Sequence, residues 1–169
     1  MGLENKIVEC LVERITRAHN KGEKFRVIVV LPLLPGFEGN IADPASTVLR
    51  IQVHHQYNSI SRGGKSLHEQ LSFIPNIRDY IGFYGLRQSE MINGTPMTEI
   101  IYVHSKLMIV DDKRCIIGSA NINDRSLLGT RDSELACIIE ENQGNILDLR
   151  CRIFNEHFGL SYPETKNIL

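Results

Sequence analysis

The sequence predicts an α/β fold, a mixed β-sheet flanked by helices and built as one lobe. Runs of β-branched and apolar residues recur at 25–31, 80–84, 100–110 and 133–140, while apolar residues at three- and four-residue spacing mark helices toward both ends. No internal repeat or low-complexity tract divides the 169 residues, a length that suits one domain with a real core.

The elements follow in order. Leu3, Ile7, Leu11, Ile15 and Ala18 fall on one face of a helix that Asn20-Lys21-Gly22 ends. Residues 25–31 (FRVIVVL) read as a strand stopped by Pro32, and so continuous an apolar run suits a strand covered on both faces. Residues 32–46 carry three of the six prolines and two glycines; a loop this long is more often functional than idle. Helical spacing returns over 47–60, with Leu49, Val53, Tyr57 and Ile60 on one face, until Gly63-Gly64 breaks it. Ser66 with Glu69 three residues on is a capping-box signature for a short helix, which Pro75 closes. Residues 80–84 read as a strand and 85–98 as a connecting loop. Beyond Glu99 the pattern is mostly β. Apolar strands at 100–103 and 107–110 precede the turn Asp111-Asp112-Lys113-Arg114, 115–117 runs back as a hairpin, and 133–140 is one more strand. Ile146, Leu149, Ile153 and Phe154 mark a last helix.

Composition narrows the class. With 42% apolar and 23% charged residues the chain is an ordinary globular protein, and a net charge of −1 gives no overall attraction to nucleic acid or an acidic membrane. Cys10, Cys115, Cys137 and Cys151 stand far apart with no CxxC pair, so neither metal-ligand spacing nor a disulfide framework is expected. Three of them lie in apolar-patterned segments and read as buried free thiols of a reducing compartment. No apolar run approaches the ~20 residues of a membrane span. The opening Met-Gly-Leu-Glu-Asn-Lys lacks signal-peptide character, and Lys6 stands where a myristoylation site wants Ser or Thr. The expected location is cytoplasmic, peripheral on membranes.

The chemistry concentrates in residues 102–124. On a strand His104 and Lys106 share a face. An imidazole beside a fixed ammonium suits phosphoryl transfer: the ring attacks phosphorus or moves a proton, and the cation stabilises charge on the equatorial oxygens. No metal or other cofactor is expected. Gly118-Ser119-Ala120-Asn121 follows, with Gly118 permitting close backbone approach to a ligand and Ser119 and Asn121 able to donate to phosphate oxygens. Asp111 completes HxKxxxxD, but its carboxylate would repel a phosphate, so it is expected to structure the turn. Alone, a histidine on an apolar strand is ordinarily a core residue and a Gly-Ser pair an ordinary turn. Their conjunction, HxKxxxxD at 104–111 with GSxN at 118–121, is far more specific than any one part and points to a phosphodiesterase. The other histidines offer less. His54 and His55 are adjacent and diverge on a helix, and His19, His68 and His157 have no suitable partners nearby in sequence. The SRGGKS segment lacks P-loop spacing.

HSKLMIVDD followed by IIGSANINDRSLLGTRDSE resembles the second HKD motif of the phospholipase D superfamily. VIVVLPLLPGFEGNI, SISRGGKSL and DYIGFYGLR are similar to stretches of the eukaryotic phosphatidylcholine-hydrolysing members that carry PX and PH domains upstream. The resemblance implies one lobe of a two-lobed fold in which each lobe gives one HKD motif to a shared site. One histidine forms a phosphohistidine; the other, here His104, protonates the leaving group and then acts as base toward water or an alcohol. Lys106, Ser119 and Asn121 hold the phosphate. Glu134 matches an acidic residue that orients the opposite histidine. Only one HKD motif occurs, so the chain reads as a fragment whose missing half is an N-terminal HKD lobe of the same enzyme or a second copy, with phosphatidylcholine at a membrane as substrate and no nucleic-acid partner. The alternatives are a nuclease-type HKD phosphodiesterase working as a homodimer, or a non-catalytic lobe that binds lipid or a partner. The net charge and the lack of clustered basic and stacking residues weigh against a nuclease, and the absence of ligand clusters weighs against a metal-dependent phosphodiesterase.

Overall fold

A computed structural model describes residues 4–166 and 168, so Leu3 of the first expected helix face lies outside the described residues. The chain divides into two compact units, Lys6–His104 and the stretch from Ser105 onward together with the N-terminal residues through Asn5.

In the first unit α1 spans Ile7–Lys21 and ends where predicted: Gly22 takes a left-handed φ of 63°, and its N–H closes on the Ala18 and His19 carbonyls. β1 (Val27–Val30) pairs in parallel with β2 (Ile81–Tyr84). The expectation that this run is covered on both faces fails within its unit. All four β1 residues are only half-buried, because β2 is the one strand beside it and a two-stranded pair shields less than a full sheet. The unit's core is Ile15, Leu67, Leu71, Ile74 and Ile81, with Leu11, Phe25, Val27 and Val29 packed around it.

α2 runs Thr47–Ile60, as the spacing predicts, with Leu49 buried. Tyr57 departs from its expected face: it is 49% exposed and carries the Arg62 guanidinium over its ring at 5.1 Å. The capping box forms in full at the start of α3 (Leu67–Gln70): the Glu69 N–H bonds Ser66 Oγ at 3.3 Å and the Ser66 N–H bonds the Glu69 carboxylate at 3.0 Å. The Ser66 hydroxyl and N–H hold the Glu69 carboxyl below its usual range. His19 finds a partner the linear sequence does not reveal, with Nδ1 3.4 Å from the Tyr80 hydroxyl.

The expected loop at 85–98 is instead a β-hairpin. β3 (Leu86–Ile92) pairs antiparallel with β4 (Thr95–Ile101), joined by Asn93-Gly94 with both residues at positive φ, 51° and 79°. Such a turn matches the right-handed twist of paired strands, and Asn-Gly is its strongest signal.

In the second unit β5 (Leu107–Val110), β6 (Arg114–Gly118) and β7 (Ala136–Glu140) form an antiparallel sheet in that order. The short α4 (Asp124–Leu127) lies between β6 and β7, and α5 (Asn145–Phe158) and α6 (Tyr162–Lys166) follow. Buried here are Cys115, Ser126, Ile146, Arg150, Cys151 and Thr165. Of the cysteines, Cys115 and Cys151 are buried and Cys10 and Cys137 exposed, one fewer buried than the apolar pattern implies; burial raises the Cys115 thiol pKa. The α/β class holds, with the strands shared among three small sheets rather than one mixed sheet.

Candidate active site

The β5–β6 hairpin positions the second half of the motif. Its turn places Asp111 and Asp112 at φ 51° and 57°, a left-handed pair that short polar side chains tolerate, and the Lys113 N–H returns to the Val110 carbonyl at 3.1 Å. Asp111 is exposed in this turn. It stands five residues from Lys106, about 16 Å along an extended chain, so the structure keeps this motif carboxylate away from the lysine. The adjacent Asp112 anchors the turn instead: it takes two bonds from the buried Arg150, at 2.6 and 2.9 Å.

At the other end of β5 the ladder continues one step past its last strand pair, as the Lys106 carbonyl accepts the Gly118 N–H at 3.1 Å. This pairing sets the lysine's backbone beside Gly118-Ser119. The Ser119 N–H bonds the Leu135 carbonyl at 3.0 Å, the Leu135 N–H returns to Ser119 Oγ at 3.0 Å, and that hydroxyl donates to the Glu134 carboxylate at 2.5 Å. Gly118 is required by packing. An added Cβ would lie 2.7 Å from the Leu135 carbonyl oxygen and 2.8 Å from the Ala136 Cβ, so the close approach it permits is to β7 and its lead-in.

Glu134 is the electrostatic centre of this cluster. The Ser119 hydroxyl, then the Ser126 hydroxyl, hold its carboxyl below the usual range; Asp132 opposes them and the half-buried Lys106 assists. The loop between β6 and β7 is internally tied. The Asn123 side chain caps α4 by accepting the Ser126 N–H at 2.9 Å, the Asn121 N–H bonds Ser126 Oγ at 3.2 Å, and Arg125 pairs with Asp132 at 2.7 Å. Asp124 accepts the backbone N–H groups of Glu4 and Asn5 at 3.1 and 2.9 Å.

His104 closes the other compact unit, and Lys106 is the second residue of the stretch beyond it. The expected strand at 100–103 and the strand placement of His104 and Lys106 are corrected here. β4 ends at Ile101 where its partner β3 begins, β5 starts at Leu107, and residues 102–106 belong to neither, so the shared-face rule for a strand does not govern His104 and Lys106. Within its unit the exposed His104 ring stacks on Tyr102, centroids 6.1 Å apart at 27°. Gly36 of the long 32–46 loop lies against the Tyr102 ring so closely that a Cβ there would fall 2.9 Å from Cζ.

The structure thus gathers Lys106, Ser119 and Glu134, brings in Asn121 through Ser126, and leaves Asp111 outside. Sequence reasoning missed Ser126 and Asp112. An ammonium here is suited to hold an oxyanion, and an anchored carboxylate is suited to orient a proton-bearing donor. One expectation shifts. A hydroxyl has a single proton, and Ser119 gives its proton to Glu134. Ser119→Ala is therefore expected to raise the Glu134 carboxyl toward its ordinary range, so that the carboxylate is lost at higher pH on acidification. A ¹³C-detected titration of Glu134 reads that shift, and an unchanged midpoint would contradict it.

Residues 97–167 match the family model described as Phospholipase D. The chain is 44% identical over 182 residues to phospholipase D zeta 2 of Arabidopsis thaliana, covering 97% of this chain and 17% of that protein. It is 47% identical over 175 residues to a phospholipase D of Phytophthora infestans, covering 94% and 10%. It is 48% identical over 141 residues to human phospholipase D1, covering 82% and 13%. The chain therefore spans only 10 to 17% of the length of these curated relatives.

Proposed function

We propose, from the premise that this chain belongs to the phospholipase D superfamily, that it supplies the second, general-acid half of a phospholipase D active site. The observation that carries this is the retained HxK pair with Lys106 seated beside Ser119 and acting on Glu134, in a chain 44 to 48% identical to enzymes named phospholipase D. The two compact units together make one lobe, residues 1–169, and a first HKD lobe completes the site. That lobe comes from the same enzyme or from a second copy of the chain.

The reaction runs in two displacements on phosphatidylcholine. The first-motif histidine attacks phosphorus while His104 protonates the choline oxygen, so the P–O bond to choline breaks and a phosphohistidine forms. His104, now neutral, takes a proton from water or a primary alcohol, whose oxygen displaces the histidine and gives phosphatidic acid or a phosphatidyl alcohol. Lys106 and Asn121 hold the phosphate oxygens, with Ser119 contributing through Glu134, and Glu134 orients the opposing histidine. Asp111 serves the turn. No cofactor takes part in these steps. No helix among the described residues is long and apolar enough to cross a membrane; we assign the protein to the cytoplasm as a peripheral visitor to the lipid surface.

The test is phosphatidylbutanol formation from phosphatidylcholine vesicles with butanol, for this chain alone and mixed with a first-motif lobe of a matched relative. Activity only in the mixture is expected. Activity of the chain alone means a site completed by a second copy. Silence in both, with complex formation demonstrated, counts against a phospholipase D half-site.

A further inference from the structure

We propose that Ser126 is a positioning residue of this site, its buried hydroxyl fixing the Asn121 backbone on one side and the Glu134 carboxylate on the other. The proposal rests on the half-site reading above and deepens it.

Ser126 is 8% exposed although α4 is only four residues long and most of its surroundings are open. Capping does not account for the hydroxyl. The cap is Asn123, whose side chain takes the Ser126 backbone N–H at 2.9 Å and leaves Oγ to other partners. That oxygen accepts the Asn121 N–H at 3.2 Å. A hydroxyl that accepts still has its own proton to give, and Glu134 is the carboxylate it acts on, second only to the Ser119 hydroxyl among the influences that lower that group. The Ser119 hydroxyl, just after β6, bonds this carboxylate at 2.5 Å, and the Ser126 hydroxyl on α4 adds to the lowering of the same group. The other charges facing Glu134 are Lys106, which assists, Asp132, which opposes, and Arg125, tied to Asp132 at 2.7 Å and also sensing Glu134.

The consequence is a mechanical link. Asn121 is the proposed phosphate donor and Glu134 the proposed orienter, and one hydroxyl sets both. Its loss frees the Asn121 backbone and raises the Glu134 carboxyl together, without removing any group that touches substrate.

Two measurements test this. In the chain itself, a ¹³C titration of Glu134 compares wild type, Ser126→Ala and Ser126→Thr. In the reconstituted enzyme, kcat, KM and the pH–rate profile are compared for the same three. Ser126→Ala is expected to move the Glu134 midpoint up and carry the acid limb of kcat up with it. It lowers kcat about tenfold and changes KM by less than about twofold; Ser126→Thr, which keeps the hydroxyl, restores all of these. If Ser126→Ala fails to fold, Ser126→Cys keeps the volume, loses the strong donor and carries the same comparison. A Glu134 midpoint unmoved in a folded Ser126→Ala or Ser126→Cys protein overturns the proposal. So does a kcat loss with no movement of the acid limb. An inactive wild-type mixture would instead count against the half-site, while the titration of the chain would still decide the Ser126 contact.

Discussion

His104→Ala is expected to lower phosphatidylbutanol formation by the reconstituted enzyme about 10³- to 10⁴-fold, with lipid binding nearly unchanged. A positioned proton donor contributes about 10²- to 10⁴-fold to such a step, and His104 is asked to serve twice, as acid and then as base. The substitution is expected to remove little packing, since His104 is exposed and its ring stacks on Tyr102. The mutant is therefore expected to keep its thermal stability and its affinity for the partner lobe. A non-catalytic binding lobe predicts the opposite pattern, with binding the only measurable function and His104 dispensable to it. The deciding comparison is turnover against vesicle co-sedimentation in the same preparation. A loss below about tenfold would mean that another group moves the proton.

The second large effect falls on stability. Asp112→Ala is expected to cost about 3 kcal/mol, toward the lower end of the penalty for removing one partner of a buried ion pair. Arg150 keeps only 5% of its side chain exposed and Asp112 26%, so the pair is mostly out of water but not sealed. Arg150 joins three segments: two bonds to Asp112 in the β5–β6 turn, one at 2.7 Å to the Thr165 carbonyl of α6, and its own place in α5 beside Phe154. Without Asp112 the guanidinium stays buried with the Thr165 carbonyl as its acceptor and no carboxylate to balance its charge. In a chain of 169 residues, where each kcal/mol is worth about 2–4 °C, the midpoint of thermal unfolding should fall by about 6–12 °C. Replacing both residues, as Asp112→Ala with Arg150→Met, should recover most of that loss, because no buried charge is then stranded. Urea denaturation of the two single variants and the double variant measures the coupling. A single-mutant loss under about 1 kcal/mol would mean the pair behaves like an exposed one. The turn lies at the far end of β5 from Lys106, so turnover per folded molecule should be unaffected.

What the sequence made legible was whatever is encoded locally. The bounds of α2, the Gly22 stop of α1, the Ser66–Glu69 capping box and the Asp111-Asp112 turn each depend on residues within one or two helical turns of one another. The motif residues were legible for the same reason, as short spacings of chemically distinctive side chains. The β3–β4 hairpin was missed because its strands lack the apolar alternation of a half-buried strand: every residue but Leu86 is exposed, and only Asn93-Gly94 gave the turn away. The 100–103 strand was overextended because Tyr102 and Val103 have strand propensity, whereas β4 ends where β3 supplies no further partner. Contacts of long range were invisible. Ser119 meets Glu134 across 15 residues and Arg150 meets Asp112 across 38, and both depend on register and helix docking that no local pattern states. Ser126 fell in the same gap, in a helix too short to show a period.

The role assigned to His104 is tested most directly by removing the need for it. A phosphatidyl-p-nitrophenol substrate departs as a stable phenolate and needs no proton from the enzyme, so His104→Ala should still release nitrophenol in the first displacement. The second displacement still needs a base. The reconstituted His104→Ala enzyme is therefore predicted to give a burst of about one nitrophenolate per site, leave a phosphatidyl group on the partner lobe's histidine, and then stall. No burst at all, with the partner lobe unlabelled, would contradict His104 as the general acid and make it the nucleophile. Sustained turnover at the wild-type rate would contradict it equally, by showing that neither proton transfer depends on this residue.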